Sequence, residues 1–105
     1  MSIKIGDYNF EGPYNYPDDI DALKDNTGVY VILEESEGKY SILDLGESAQ
    51  VKTRIENHDR SSCWEEKSKG TLYVAVFYTL NKQPPGRMEL EQELRGKLNL
   101  ILGDK

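Results

Sequence analysis

The chain has 105 residues, of which 37% are hydrophobic and 10% aromatic, and its formal net charge is −6. That length fits one domain, and a domain of this size buries roughly two-thirds of its unfolded surface, enough for a single core. It leaves no room for a membrane helix, since no apolar run nears the ~20 residues a bilayer needs, nor for an intrachain disulfide, since Cys63 is the only cysteine.

The opening MSIKIGDYNF lacks the basic-then-apolar layout of a signal peptide, so a cytoplasmic protein with no membrane association is expected. The charge is uneven. Residues 1–40 hold nine acidic and three basic residues, while 41–105 hold ten of each. Phosphates repel an acidic protein, so tight nonspecific binding to duplex DNA is disfavoured. A local exception lies at 52–69, with five basic residues against four acidic.

Taken in chain order, residues 1–26 read as an irregular lead-in, because Gly, Pro, Asn, Asp and Tyr crowd 6–27; a short helix fits 17–24. Asn26-Thr27-Gly28 is a turn signal. Residues 28–35 then read as a strand, with Val29, Val31 and Leu33 on one face and Tyr30 and Ile32 on the other. A polar turn over 34–38 leads to a returning strand at 39–45, giving a hairpin with a longer loop. Ser48 is placed to cap a helix over about 49–59. That helix puts Val51 and Ile55 on one face, with Arg54 and His58 four apart beside it.

TLYVAVFYT at 71–79 is rich in β-branched and aromatic residues and reads as a central strand. Gln83-Pro84-Pro85-Gly86 breaks the chain. A helix over 87–101 follows, with a Leu90, Leu94, Leu98, Ile101 stripe that Gly96 weakens by about 1 kcal/mol. The order strand, strand, helix, strand, helix predicts a single α+β domain, a three-stranded, mostly antiparallel sheet flanked by helices.

Four features stand in a fixed order: Gly28-Val29-Tyr30, then Leu45-Gly46, then Arg54, then RMELEQELR at 87–95. Together they resemble the GIY-YIG nuclease domain, a small metal-dependent fold that cleaves DNA phosphodiesters. The resemblance spans about residues 27–99. Hydrolysing a phosphodiester takes a base for water, a cation for developing charge and a metal at the leaving oxygen. The resemblance implies Tyr30 near the attacking water, Arg54 on the scissile phosphate, and Glu91 on one Mg²⁺ or Mn²⁺, with Glu89 and Glu93 as alternative registers. His58, one turn from Arg54, completes the expected catalytic set as a donor or proton shuttle. Gly46, Lys52 and Arg60 are the expected nucleic-acid contacts.

Each residue also has a structural reading. Tyr30 fits a half-buried strand position, Gly46 a strand-end turn or bulge, and Arg54 an exposed helix arginine beside Glu56 or Asp59. Arg87, Glu91 and Arg95, four apart, fit a surface ion-pair ladder worth only a few tenths of a kcal/mol per pair. In the cluster His58-Asp-Arg60-Ser-Ser-Cys63-Trp64, a zinc site lacks a second ligand pair, and Cys63 with Trp64 fits packing beneath the helix.

The pattern departs from the family at two positions. Asp44 stands where the second motif has a tyrosine, and Glu47 where a lysine often follows. Two carboxylates there repel an entering phosphate. The expectation is a divergent domain with impaired catalysis that keeps the cleft for binding DNA, another nucleic acid or a protein; the alternative is an active, divalent-metal-dependent endonuclease.

Overall fold

A computed structural model of the protein describes residues 2–58, 61–68, 70–79 and 86–97. The expected three-stranded sheet is corrected to five strands, antiparallel throughout, in the order β1-β2-β5-β3-β4. The two additional strands come from the segment expected to be an irregular lead-in: β1 is Ser2–Ile5 and β2 is Tyr8–Asn15. Gly6 and Asp7 form the two-residue loop between them, with Ile5 opposite Tyr8. Ile3, Ile5, Tyr8 and Phe10 supply the apolar side of this hairpin. Its turn-rich composition hid that alternation. Pro13 also argued against a strand, since it cannot donate to a ladder. It is accommodated where the β2–β5 register shifts between Glu11 and Tyr14.

The central hairpin is β3, Gly28–Ser36, and β4, Lys39–Ser48. Its loop is Glu37-Gly38, shorter than expected, and both residues have positive φ (55° and 80°). That is the backbone of a two-residue turn whose twist matches the strands. A register shift after Ile32 leaves Leu43 as the extra residue on β4. β5, Thr71–Tyr78, pairs with β3 from Gly28 to Glu35 on its other side.

Two layers of helix sandwich the sheet. Alternation along β3 sends Tyr30 and Ile32 to one face, where they pack with Leu43, Val51, Ile55, Trp64, Val74 and Val76. α1, Val51–Glu56, and α2, Ser61–Lys67, cover that face, with a single 3-10 turn at Ile20–Ala22 beside them. Val29, Val31 and Leu33 point the other way and pack with Leu45, Ala75, Leu90 and Leu94. α3, Arg87–Lys97, covers this second face. The sheet curls enough for β1 to approach the β3–β4 hairpin, leaving a groove of about 210 Å³ lined by Ile3, Ile5, Leu33 and Ile42 with Lys4 and Tyr40 at its sides.

Helix boundaries also differ from expectation. The helix expected over 49–59 ends at Glu56, and α2 follows as a separate helix. Its N-cap is Gln50, while Ser48 is still strand and its Oγ accepts from Gln50 N at 3.0 Å. The capping acceptor at the third residue of the helix is instead Asp25, far away in sequence. Thr53 N donates to Asp25 Oδ1 at 2.9 Å and Thr53 Oγ1 to Oδ2 at 2.7 Å. Of the break expected at Gln83-Pro84-Pro85-Gly86, only Gly86 is described, just before α3; residues 83–85 and the stripe residues Leu98 and Ile101 lie outside the described residues. Among the described residues, no helix is long and apolar enough to cross a membrane.

Candidate functional site

Tyr30 and Gly46 are register partners on β3 and β4. The Tyr30 ring lies across Gly46, and a Cβ at position 46 would overlap the phenol Oη and Cζ. Gly46 is therefore the residue that lets a tyrosine lie flat against the neighbouring strand. Held there, the phenol is 2% exposed and shares a 2.7 Å hydrogen bond with His58 Nε2. His58 sits just beyond α1, itself buried, and its ring packs against the Trp64 indole with centroids 4.5 Å apart. Trp64 Nε1–H donates to Asp44 Oδ2 at 2.8 Å, and Asp44 Oδ1 accepts from Leu45 N at 2.8 Å. Tyr16 closes the cluster, edge-on to Trp64. Burial pushes the Tyr16 phenol above its ordinary value, and the nearby Glu65 carboxylate adds to the effect.

Tyr30, His58, Asp44 and Trp64 thus form one buried polar cluster between the sheet and the α1–α2 layer. Every buried side-chain nitrogen and oxygen among the described residues has a hydrogen-bond partner. Burying such groups is tolerable because each is satisfied; removing one partner leaves a penalty of about 1–3 kcal/mol. The arrangement accounts for Asp44, which local pattern could not: a fully buried carboxylate is stable there because an indole N–H and a backbone N–H both point at it. Trp64 packs as expected, whereas Cys63 is exposed.

Of the expected site residues, Tyr30 meets Gly46 and His58 on the α1–α2 side of the sheet, and Arg54 belongs to the helix that covers that side. Arg54 is half-buried in the last turn of α1. Lys52, on the same helix, pairs with Asp21 at 3.6 Å. Arg60 lies outside the described residues. Glu91 is not with this group. It belongs to α3, across the sheet, where Arg95 grips it through Nε at 3.2 Å and Nη2 at 2.7 Å. Of its alternatives, Glu93 accepts from Tyr8 Oη at 3.2 Å, and Glu89 is exposed in the first turn. Glu47 is held by Arg87 Nε at 2.6 Å, while Arg87 Nη1 donates to Thr27 Oγ1 at 3.1 Å.

Asp44, Glu47 and Glu91 are each engaged elsewhere than at a Mg²⁺ or Mn²⁺ centre. Such ions need water-accessible carboxylates and retain several of their own waters. Asp44 is sealed from water, and Glu47 and Glu91 are each neutralised by an arginine. Among the described residues, no group of three or more His, Cys, Asp or Glu side chains is placed to share an ion. The residues that sequence reasoning missed are Asp25 and the Asp44–Trp64 partnership. Neither has a local signature, because each joins segments about twenty or more residues apart.

Comparison with family models, with curated proteins and with solved structures finds no match to this chain.

Proposed function

We propose that this chain is a divergent GIY-YIG-like domain that binds rather than cleaves, and that its ligand is a nucleic acid held weakly on the α1 side. The likeness supporting this reading lies in the segment from β3 to α3. There a hairpin, a helical segment, a strand and a helix follow in the order the resemblance implies, the helical segment being split into α1 and α2, with Tyr30 and Gly46 as register partners. The observation that carries the non-catalytic part is the fate of Asp44. It occupies a motif position assigned to catalysis, yet it is fully buried and spends both carboxylate oxygens on Trp64 and Leu45. Tyr30 is similarly committed to His58. A phenol and a carboxylate engaged in this way hold the helical layer on the sheet; they do not face a scissile phosphate.

Binding falls to the cations of α1. Lys52 pairs with Asp21, whose side chain is 92% exposed, and lies close enough to the exposed Asp25 carboxylate to help stabilise its charge. An ion pair of that kind is worth about 0–1 kcal/mol, so a phosphate can compete for the ammonium. Arg54 adds a second cation two residues along. With so few cations and a net charge of −6, the affinity is low and falls steeply with salt.

The test is an amide NMR titration with Mg²⁺ or Mn²⁺ and then a short DNA duplex, run beside an oligonucleotide cleavage assay. The expected result is no cleavage, no saturable metal shift, and DNA-induced shifts grouped on residues 51–56 that vanish at high salt. Metal-dependent cleavage lost in both Arg54→Ala and Glu91→Ala would replace this reading with the active endonuclease. DNA that moves no resonance of α1 would remove nucleic acid as the ligand.

A further inference from the structure

The groove beside β1 continues the core that α3 covers. Ile5 and Leu33 in its lining are members of that core, and Ile3 and Ile42 pack against it. It lies across the sheet from α1, so it is separate from the surface proposed for nucleic acid. Lys4 and Tyr40 flank it, and Tyr40 is 46% exposed. β1 has a ladder on one side only, with β2, so the groove marks where this outer strand lacks a second support.

α3 points at this groove. Arg87, its first residue, meets Glu47, and Arg95 reaches the Leu45 carbonyl. The helix therefore runs along β4 toward the Glu37-Gly38 loop. Leu94 stands at the groove's rim. It packs so closely on Gly6, a lining residue, that a Cβ there would come within 2.8 Å of Leu94 Cδ2. In the same direction, Ile42 lies beyond Leu45 by about 10 Å of strand. At helical rise, the residues from Arg95 to position 101 cover about 9 Å. The sequence carries Leu98 and Ile101 at that distance. Their spacing continues that of Leu90 and Leu94, both fully buried beneath α3.

We propose that the groove is the docking site of the segment that follows Lys97, with Leu98 and Ile101 filling it and strapping β1 to the β3–β4 hairpin. Two apolar side chains enter an apolar lining, so their removal from water drives the docking. The segment is the favoured occupant because it is tethered beside the groove. A short tether gives an effective concentration on the order of millimolar, which a second copy or a free apolar molecule has to exceed. Leu100 falls off the stripe and takes no part.

The experiment is a methyl NOE spectrum of the full chain, labelled at Ile and Leu and recorded at a low and a high protein concentration, beside urea denaturation of three variants. NOEs are expected from the Leu98 and Ile101 methyls to those of Ile3, Leu33 and Ile42, at both concentrations. Leu98→Asn and Ile101→Asn should each shift these groove methyls and lower the urea midpoint. Leu100→Asn should leave both at their native values. A native spectrum without NOEs between the two regions would overturn the proposal, whatever the variants do. A Leu100→Asn effect as large as that of Ile101→Asn would also overturn it. So would NOEs present only at the high concentration, since the occupant would then be a second copy.

Discussion

The two faces of the sheet are built on different principles. Beneath α3 the core is apolar: Val29, Val31, Leu33, Leu45, Ala75, Leu90 and Leu94 with the ring of Phe10. Its polar contacts, Arg87 with Glu47, Arg95 with Glu91 and Tyr8 with Glu93, involve only part-buried side chains. Beneath α1 and α2 the core holds Tyr30, His58, Trp64 and Asp44, and polar atoms are buried within it. Apolar packing tolerates substitutions that conserve volume and pattern. A hydrogen-bonded interior tolerates only arrangements in which every donor meets its acceptor. Helices as short as α1 and α2 have little surface with which to specify their own position, and the polar cluster supplies that specification.

Substitutions at four positions, three of them paired with a control, sharpen or break this contrast. The largest effect is expected from Gly46→Ala, which drives Tyr30 off β4 and away from His58. Overpacking and a lost buried hydrogen bond together should cost about 3–4 kcal/mol in urea denaturation. Gly38→Ala is its control: a Cβ there meets nothing within 4 Å, so only the φ of 80° is strained. The cost should then stay near 1 kcal/mol. Equal losses at the two glycines would show that the Tyr30 contact is not what position 46 protects.

Next comes Leu94, fully buried beneath α3. Leu94→Ala should cost about 3 kcal/mol through its cavity, whereas Leu94→Met should cost less than about 1.5 kcal/mol, because volume is conserved. A methionine as damaging as alanine would mean that this face, too, demands one arrangement.

Tyr30→Phe removes a single oxygen and keeps the ring. Leaving His58 Nε2 without this partner should cost about 1–2 kcal/mol, against almost nothing for Tyr40→Phe at an exposed site. The readout is the difference in urea midpoint. If both variants match the native chain, the polar cluster is incidental to stability.

The smallest effect is at the tertiary cap. The Thr53 backbone N–H, and then its hydroxyl, hold the Asp25 carboxyl below its ordinary value. A depressed folded value means that the carboxylate contributes stability above the ordinary range near pH 4, and loses it as pH falls through the folded value. Asp25 is fully exposed, so the contribution is modest. Asp25→Asn should be less stable than the native chain at pH 6, and the gap should close by pH 2. A gap independent of pH would show that charge plays no part in the cap.

Where each element was legible depended on how local its signal is. The runs at 28–35, 39–45 and 71–79 carry period-two alternation or dense β-branched residues. These lie in β3, β4 and β5, and the two-face split along β3 follows from its alternation alone. The N-terminal hairpin was obscured because Gly6, Gly12 and Pro13 are turn residues by composition. Docking on β5 is what makes this segment a strand. The contacts of Tyr30 with Gly46 across the hairpin and with His58 beyond α1 join separate elements, and no single local pattern carries them.

What the sequence determined by itself is therefore the β3–β4 hairpin, an apolar third strand and an α3 whose Leu90 and Leu94 face inward. Hydrophobic periodicity is written residue by residue, so it survives without any knowledge of the partner. Only the tertiary structure decided that the sheet has five strands and that Glu91 lies across it from Tyr30. It also decided that Asp44 is a buried acceptor and that α1 is capped by Asp25. The physical reason is the same in each case. A carboxylate has no preferred neighbour in sequence; its state is set by whichever N–H groups and cations folding brings within about 3 Å.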